Sequence, residues 1–257
     1  MTDVHPRDRL LTIYGRKPVL EVVEDPGLPV ERVLIARNAD GPVVADILKA
    51  ARKRGLDVRR VTPAEVTRLS RNARQDQGAV ADVVAPRMGA LGPALPGLPA
   101  DARVLLLDGL TTPGNIGLLL RAATAAGWEG IIVPRRGSPE VGPLVIKASA
   151  GVAFKAPILR TATAEEAANL LKENGFELCG LRASDAADLY QARFSGRVAF
   201  VLGNESTGLS PAVDRLIDRF IALPMAGGVE SLNVAIAGAV VAYELCRRRL
   251  ESRAAVS

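Results

Sequence analysis

Ser231 and Asn233 stand in Pro224-Met225-Ala226-Gly227-Gly228-Val229-Glu230-Ser231-Leu232-Asn233, directly before the apolar run at 234–243. A glycine turn delivers two polar side chains to the mouth of a helix that reads as buried, where polar groups are costly without a partner or ligand. Two other segments share the design: a Gly-rich turn, a polar residue, then apolar chain. Pro113-Gly114-Asn115-Ile116-Gly117 leads to Arg121, and Val201-Leu202-Gly203-Asn204 leads to Glu205. Three such loops in one C-terminal half predict one composite polar site.

Each residue also fits a plain structural role. The helical neighbours of Arg121 at 117, 118, 124 and 125 are small or apolar, so no carboxylate of its own helix can pair with it. It bridges to a distant acid or meets an anionic ligand. Asn115 taken alone reads as a helix N-cap, Glu205 as a turn carboxylate, and Ser231 and Asn233 as caps of the last helix. Their joint placement after sheet strands argues for a site, because ligands of open parallel sheets bind just beyond the strands' carboxyl ends.

The elements that must position these loops follow from apolar periodicity. Strands are expected at 30–36, 57–61 and 79–84, with helices at 43–55 and 63–70, giving a small α/β module. The Pro- and Gly-rich stretch 83–103 breaks both patterns and reads as a linker. Beyond it, strands are expected at 103–107, 131–133, 157–159, 178–181, 198–202 and 220–223. Helices are expected at 115–127, 143–151, 164–174, 211–217 and 232–249. Short continuous apolar strands separated by helices imply a mostly parallel sheet covered on both faces. The fold class is therefore α/β, with a substrate-binding domain at 1–85, a linker at 86–102 and a catalytic domain at 103–257.

Composition narrows the function classes. Two cysteines, Cys179 and Cys246, and the single His5 exclude a zinc ribbon and a disulfide framework, so no metal is expected. The charged stretch 1–9 has no apolar leader segment, and 231–243 is too short to span a bilayer, so a cytoplasmic protein without a membrane partner is expected. Net charge is +5, from 33 basic and 28 acidic residues. Arg52, Lys53, Arg54, Arg59, Arg60, Arg68, Arg71 and Arg74 concentrate basic charge, either as a solvated face or as a patch that tracks nucleic-acid phosphates. Arg247-Arg248-Arg249 fits polyanion binding or a helix C-terminus. A P-loop is excluded because Asn115-Ile116 follows the glycines where Lys-Ser/Thr is needed, and no G-x-G-x-x-G follows a strand.

The three loops resemble the three signature motifs of the SPOUT superfamily, in its TrmH (SpoU-type) branch of RNA ribose 2′-O-methyltransferases. The carriers are Pro113 through Gly127, Val201-Leu202-Gly203-Asn204-Glu205-Ser206-Thr207-Gly208-Leu209, and Leu223-Pro224-Met225 with Val229 through Val234. Tyr14-Gly15-Arg16-Lys17 and Asp76-Gln77-Gly78-Ala79-Val80 are similar to the ribosomal-protein-like RNA-binding domain of the large-subunit rRNA branch. Thr112-Pro113 and Gln75-Asp76 depart from the usual residues at their positions, and the second leaves target choice open.

The resemblance implies an α/β-knot in which the C-terminal segment threads a loop as a trefoil, an exception to unknotted topology. It implies S-adenosyl-L-methionine held at Gly203, Leu223, Leu232, Asn204 and Met225, and catalytic work by Arg121, Asn115, Glu205, Ser231 and Asn233. It also implies a homodimer, made in part by the last helix with its small residues Ala235, Ala237, Gly238, Ala239 and Ala242, whose interface completes the site. The substrate expected is RNA, 23S rRNA before tRNA. The alternatives are the same reaction on tRNA, an antibiotic-resistance rRNA methyltransferase, and a non-catalytic RNA-binding factor.

Overall fold

A computed structural model describes residues 9–182 and 185–254. His5 and the rest of the stretch 1–8 lie outside the described residues, as do 183–184 and 255–257. The first sheet is built from β1 (Leu10–Tyr14), β2 (Val30–Ala36), β3 (Val58–Val61) and β4 (Ala79–Val84), in the order β1-β4-β2-β3. β4 is antiparallel to β1 and β2, and β2 is parallel to β3. Helices α1 (Arg16–Glu24), α2 (Pro42–Lys53) and α3 (Pro63–Ser70) connect them. Thr62 and Glu65 form a reciprocal capping box at the start of α3, satisfying N–H groups the first helical turn leaves open. β1 and α1 went unpredicted, because that stretch shows short mixed runs rather than a clear period.

The expected linker is not a loose tether. Its Gly89–Ala90 pair is strand β5, parallel to a later strand at the edge of the second sheet, and Leu91–Ala94 is a short helix, α4. Leu91 and Leu95 are fully buried in an apolar cluster with Val104, Leu106 and Val201 of the second sheet's strands. Two leucines on an otherwise breaking sequence gain more by burial than the prolines cost, since each buried leucine is worth about 1.5–3 kcal/mol.

The second sheet has eight strands, and every pairing in it is parallel. After β5 come β6 (Arg103–Leu107), β7 (Gly130–Ile132), β8 (Ile158–Arg160), β9 (Phe176–Leu181), β10 (Ala187–Asp188), β11 (Arg197–Leu202) and β12 (Arg219–Ala222). Their spatial order is β10-β12-β9-β11-β6-β7-β8-β5. The helices are α5 (Pro113–Ala125), α6 (Pro143–Ala148), α7 (Ala164–Glu173), α8 (Pro211–Asp214) and α9 (Val234–Ala254). Two apolar clusters flank the sheet, one through Leu105, Leu107 and Phe200, the other through Val104, Leu106 and Val201. Alternate residues of one strand thus feed opposite layers, as a sheet covered on both faces requires. The α/β class read from the strands holds.

Close backbone approach fixes the helices over the sheet. A Cβ on Gly117 would sit 2.6 Å from the Val145 carbonyl oxygen of α6, and one on Gly238 of α9 would sit 2.4 Å from Leu119 Cδ2 of α5. α9 is not wholly buried, which corrects the expectation of a buried last helix. Ile236, Tyr243 and Leu250 recur every seven residues and are each more than half exposed. Among the described residues no helix is long and apolar enough to cross a membrane.

Candidate active site

β6, β9, β11 and β12 run parallel, so their carboxyl ends meet at one edge, where the motif loops emerge. The loop after β11 is closed by reciprocal backbone hydrogen bonds between Asn204 and Gly208, both 2.9 Å. Asn204 Nδ2 donates to the Gly109 carbonyl beyond β6 (2.9 Å), and its Oδ1 accepts from the Ser206 N–H at 2.9 Å. Asn204 thereby uses both its side chain and its backbone to shape the loop, which borders the neighbouring pocket. After β12, Gly227 and Gly228 adopt φ of 66° and 73°, a left-handed pair that glycine enters without strain. That turn brings Ser231 and Asn233 back toward β11.

Three polar side chains then meet. Asn115 Nδ2 donates to Glu205 Oε1 at 3.0 Å, and Asn233 Nδ2 donates to the same oxygen at 2.7 Å and to Asn115 Oδ1 at 3.1 Å. The expected N-cap role of Asn115 is corrected: α5 begins at Pro113 with Thr112 as its cap, and Asn115 is buried inside the first turn. Proline at the first helical position moves the start upstream, because its missing N–H costs nothing there. Asn233 does cap: its Oδ1 accepts from the N–H groups of Ala235 (2.9 Å) and Ile236 (3.3 Å). One residue therefore starts α9 and ties it to α5 and the β11 loop.

Beside this cluster lies a pocket lined by Gly203, Asn204, Glu205, Leu223, Met225, Ser231 and Leu232. The five residues expected at a cofactor thus surround one cavity, with two of those expected to be catalytic. Sequence reasoning missed Leu181, Arg182, Leu209, Ile221 and Glu230, which also line it. Leu181 ends β9 and Arg182 follows it, so the strand-end rule applied to that strand would have found both. Arg182 is held over the Phe220 ring, 3.5 Å from its centroid, and pairs with Asp214 at 3.2 Å.

Arg121 is not brought to the cluster within the chain. It is exposed and has no hydrogen bond or ion pair among the described residues. Six residues of helix separate it from Asn115, roughly 9 Å along the axis and about 120° around it. It shares the outward side of α5 with Leu118, itself 47% exposed.

The basic residues divide by role. Arg54 donates to the carbonyls of Val22, Val23 and Leu28, and Arg60 to those of Ala36 and Ala39, so both hold the first domain together. Arg59 pairs with Asp57 at 3.0 Å. Arg68 and Arg71 instead line a cleft between the two domains. Arg247 to Arg249 sit inside α9, not beyond it: Arg247 and Arg248 bind Glu244, and Arg249 binds Glu129 at 2.9 Å. Hydrogen bonds from Arg247, then Arg248, hold the Glu244 carboxyl at about 2 against the opposing effect of its burial. Burial, reinforced by Glu177, pushes the Cys179 thiol up to about 12, which leaves it inert as a nucleophile at neutral pH.

Comparison with known proteins agrees with this architecture. The profile described as the SpoU rRNA Methylase family matches residues 102–243, and that described as RNA 2′-O ribose methyltransferase substrate binding matches 12–89. A 23S rRNA (guanosine-2′-O-)-methyltransferase RlmB of Xanthomonas campestris is 35% identical over 242 residues, covering 93% of this chain and 96% of its own length. The crystal structure of the SpoU methyltransferase AviRb from Streptomyces viridochromogenes, in complex with the cofactor AdoMet, superposes with a TM-score of 0.65 at 26% identity. It covers 95% of this chain and 92% of that one. A structure concerned with 2′-OH methylation of C/U34 on tRNA gives a TM-score of 0.51 at 30% identity, covering 60% of this chain and 99% of that one.

Proposed function

The chain belongs to the SpoU rRNA methylase family, and on that premise we propose that it methylates a ribose 2′-oxygen in 23S rRNA. It is an S-adenosylmethionine-dependent RNA ribose 2′-O-methyltransferase. The observation that carries the site assignment is the Asn115–Glu205–Asn233 cluster, in which three motif loops converge beside one pocket at the strands' carboxyl ends. The choice of rRNA rests on the RlmB relative, which spans both domains. The tRNA-directed neighbour covers 60% of the chain, too little to include both profile-matched regions.

The pocket residues fit the cofactor. Leu202, Leu209, Ile221, Leu223 and Leu232 give apolar walls for a purine, and the carboxylates of Glu205 and Glu230 suit a cationic group. At Gly203 the absence of a side chain lets the Gly208–Leu209 backbone close against the end of β11 and shape the pocket's edge. S-adenosylmethionine supplies an electrophilic methyl on a sulfonium. The chain must lower the cost of ionising a ribose hydroxyl and hold its oxygen in line. Arg121 performs the first task by placing a permanent cation beside the emerging alkoxide, while water or phosphate accepts the proton. Asn115, Glu205, Ser231 and Asn233 position ribose and phosphate, and Gly203, Asn204, Leu223, Met225 and Leu232 hold the cofactor. Requirement for RNA follows from the nucleophile, which DNA lacks.

The active unit is a homodimer. Leu118 of α5, Leu144 of α6, and Ile236 and Tyr243 of α9 are large apolar residues left 47–59% exposed on helices that pack together. Arg121 opens onto the same side, so a partner's pocket receives it. Residues 1–85 serve RNA binding and 103–257 catalysis. Leu223, Met225 and Leu232, which follow β12, share one pocket with Leu181 at the end of β9 and Gly203 after β11, and Asn233 bonds to Asn115 of α5, a proximity that supports threading as a trefoil. Action on rRNA places the enzyme in the cytoplasm. The substrate assignment is tested with tritiated cofactor: a 23S rRNA transcript is expected to take up label, with a tRNA transcript at background. Preferential labelling of tRNA would contradict it.

A further inference from the structure

A cleft of about 810 Å³ separates the two domains, lined by Arg32, Arg68 and Arg71 from the first and by Arg135, Glu140 and Arg160 from the second. It also reaches Pro113, two residues from Asn115, so it opens toward the active site. Its acids do not balance its cations. Asp82 is committed to Arg32 and to the Thr12 hydroxyl, which leaves Glu140 as the other carboxylate of the lining.

Arg160 is the group that needs explanation. It ends β8 with its side chain only 4% exposed, yet Nη1 has no hydrogen-bond partner among the described residues. Among the described residues Nη2 has a long ion pair, 3.6 Å to Glu140 Oε2. Burial lowers its pKa to about 10, against the stabilising charge of Glu140, so it remains a cation at neutral pH. A buried, under-satisfied guanidinium is expensive unless an anion meets it. Glu140 is a poor match because it is shared: its Oε1 also accepts from Arg71 Nη1 of the other domain at 3.1 Å. One carboxylate, 66% exposed, thus bridges two guanidiniums on opposite walls and fully serves neither.

We propose that this cleft binds a phosphodiester of the substrate RNA between Arg71 and Arg160, and that Glu140 holds the place of that phosphate until RNA displaces it. The proposal rests on the RNA-methyltransferase reading above. A phosphodiester carries two charged non-bridging oxygens, which suits two guanidiniums facing each other. Glu140 is itself exposed, so it can swing into solvent, and the arriving phosphate takes over its pairing with the buried Arg160. A strand gripped here would run from the first domain past Pro113 toward Asn115.

The test is RNA binding by the full chain, measured by fluorescence anisotropy over a salt series on a 23S rRNA fragment, with methylation of the same fragment by the wild type measured alongside. Glu140→Gln is expected to tighten binding several-fold. Arg71→Gln and Arg160→Gln are expected to weaken it, each lowering the slope of log affinity against log salt by about one. Adding Glu140→Gln to Arg71→Gln is expected to recover little, because the phosphate then has only one of the two guanidiniums that grip it. Calorimetric cofactor affinity stays at the wild-type value in all four proteins. Arg71 is exposed, so its variant folds even where Arg160→Gln does not. Wild-type affinity and slope in Arg71→Gln would overturn the proposal, as would a Glu140→Gln gain that persists in full without Arg71. Those failures leave methylation by the wild type intact, whereas a wild type that binds RNA through the cleft and methylates none overturns the enzymatic reading instead.

Discussion

Arg121→Ala is expected to lower the rate of methyl transfer by about 10²–10³-fold, the usual cost of removing one donor that stabilises a developing oxyanion. Cofactor affinity is expected to stay unchanged, because Arg121 does not line its own chain's pocket and, in the partner's, serves the ribose oxygen and not the cofactor. Within its own chain the side chain is exposed and has no partner among the described residues, so truncation should shift the stability of the protomer's fold by no more than about 0.5 kcal/mol. Single-turnover kinetics with calorimetry and a melting curve separate these effects. Arg121→Lys should recover only part of the rate, since a compact ammonium lacks the planar fork. A variant that transfers methyl at the wild-type rate would remove Arg121 from the mechanism.

Gly203→Ala is expected to act at the opposite point, on the cofactor. Its Cβ would lie 2.4 Å from the Gly208 carbonyl carbon and 2.6 Å from the Leu209 nitrogen, all backbone atoms that cannot rotate away. The loop closed by the paired Asn204–Gly208 hydrogen bonds must open or shift. Displacement of about 1 Å costs on the order of 10²-fold in a positioned site, and overpacking adds about 1–3 kcal/mol of instability. Calorimetry should find cofactor binding lost in protein that still folds. Binding at wild-type strength would show that the loop is not the cofactor's floor. The two variants also report on the dimer. Mixed chains, one Arg121→Ala and one Gly203→Ala, regain activity if Arg121 serves the partner's pocket, and stay inactive if it serves its own.

The sheet was legible because its strands are unbroken apolar runs: 198–202 and 103–107 match β11 and β6 within one residue. Strand β10, two residues long with an aspartate, carries no such signal. The helical core of the 86–102 stretch was hidden by its prolines, which dominate local propensity yet lost to the burial of Leu91 and Leu95. Site residues were legible as types at loop positions. Their connections were not, since nothing local in Asn115 says that it bonds across ninety residues to Glu205 rather than capping its own helix. Arg54 and Arg60 look like patch residues in sequence, but they donate to backbone carbonyls, acceptors that every residue has and that leave no trace in composition. Arg160 escaped notice for the converse reason, standing alone at the end of a short apolar strand, where only its burial reveals it.

The central claim is that this chain places a methyl group on a ribose 2′-oxygen. It is tested most directly by treating a 23S rRNA transcript with the protein and S-adenosylmethionine, digesting to nucleosides, and analysing them by mass spectrometry. The account predicts one nucleoside whose extra methyl resides on the ribose fragment, together with an alkali-resistant linkage at that position. With Arg121→Ala both should form about 10²–10³-fold more slowly. A methyl found on the base fragment, or a transcript left unmodified by protein that binds the cofactor, would contradict it.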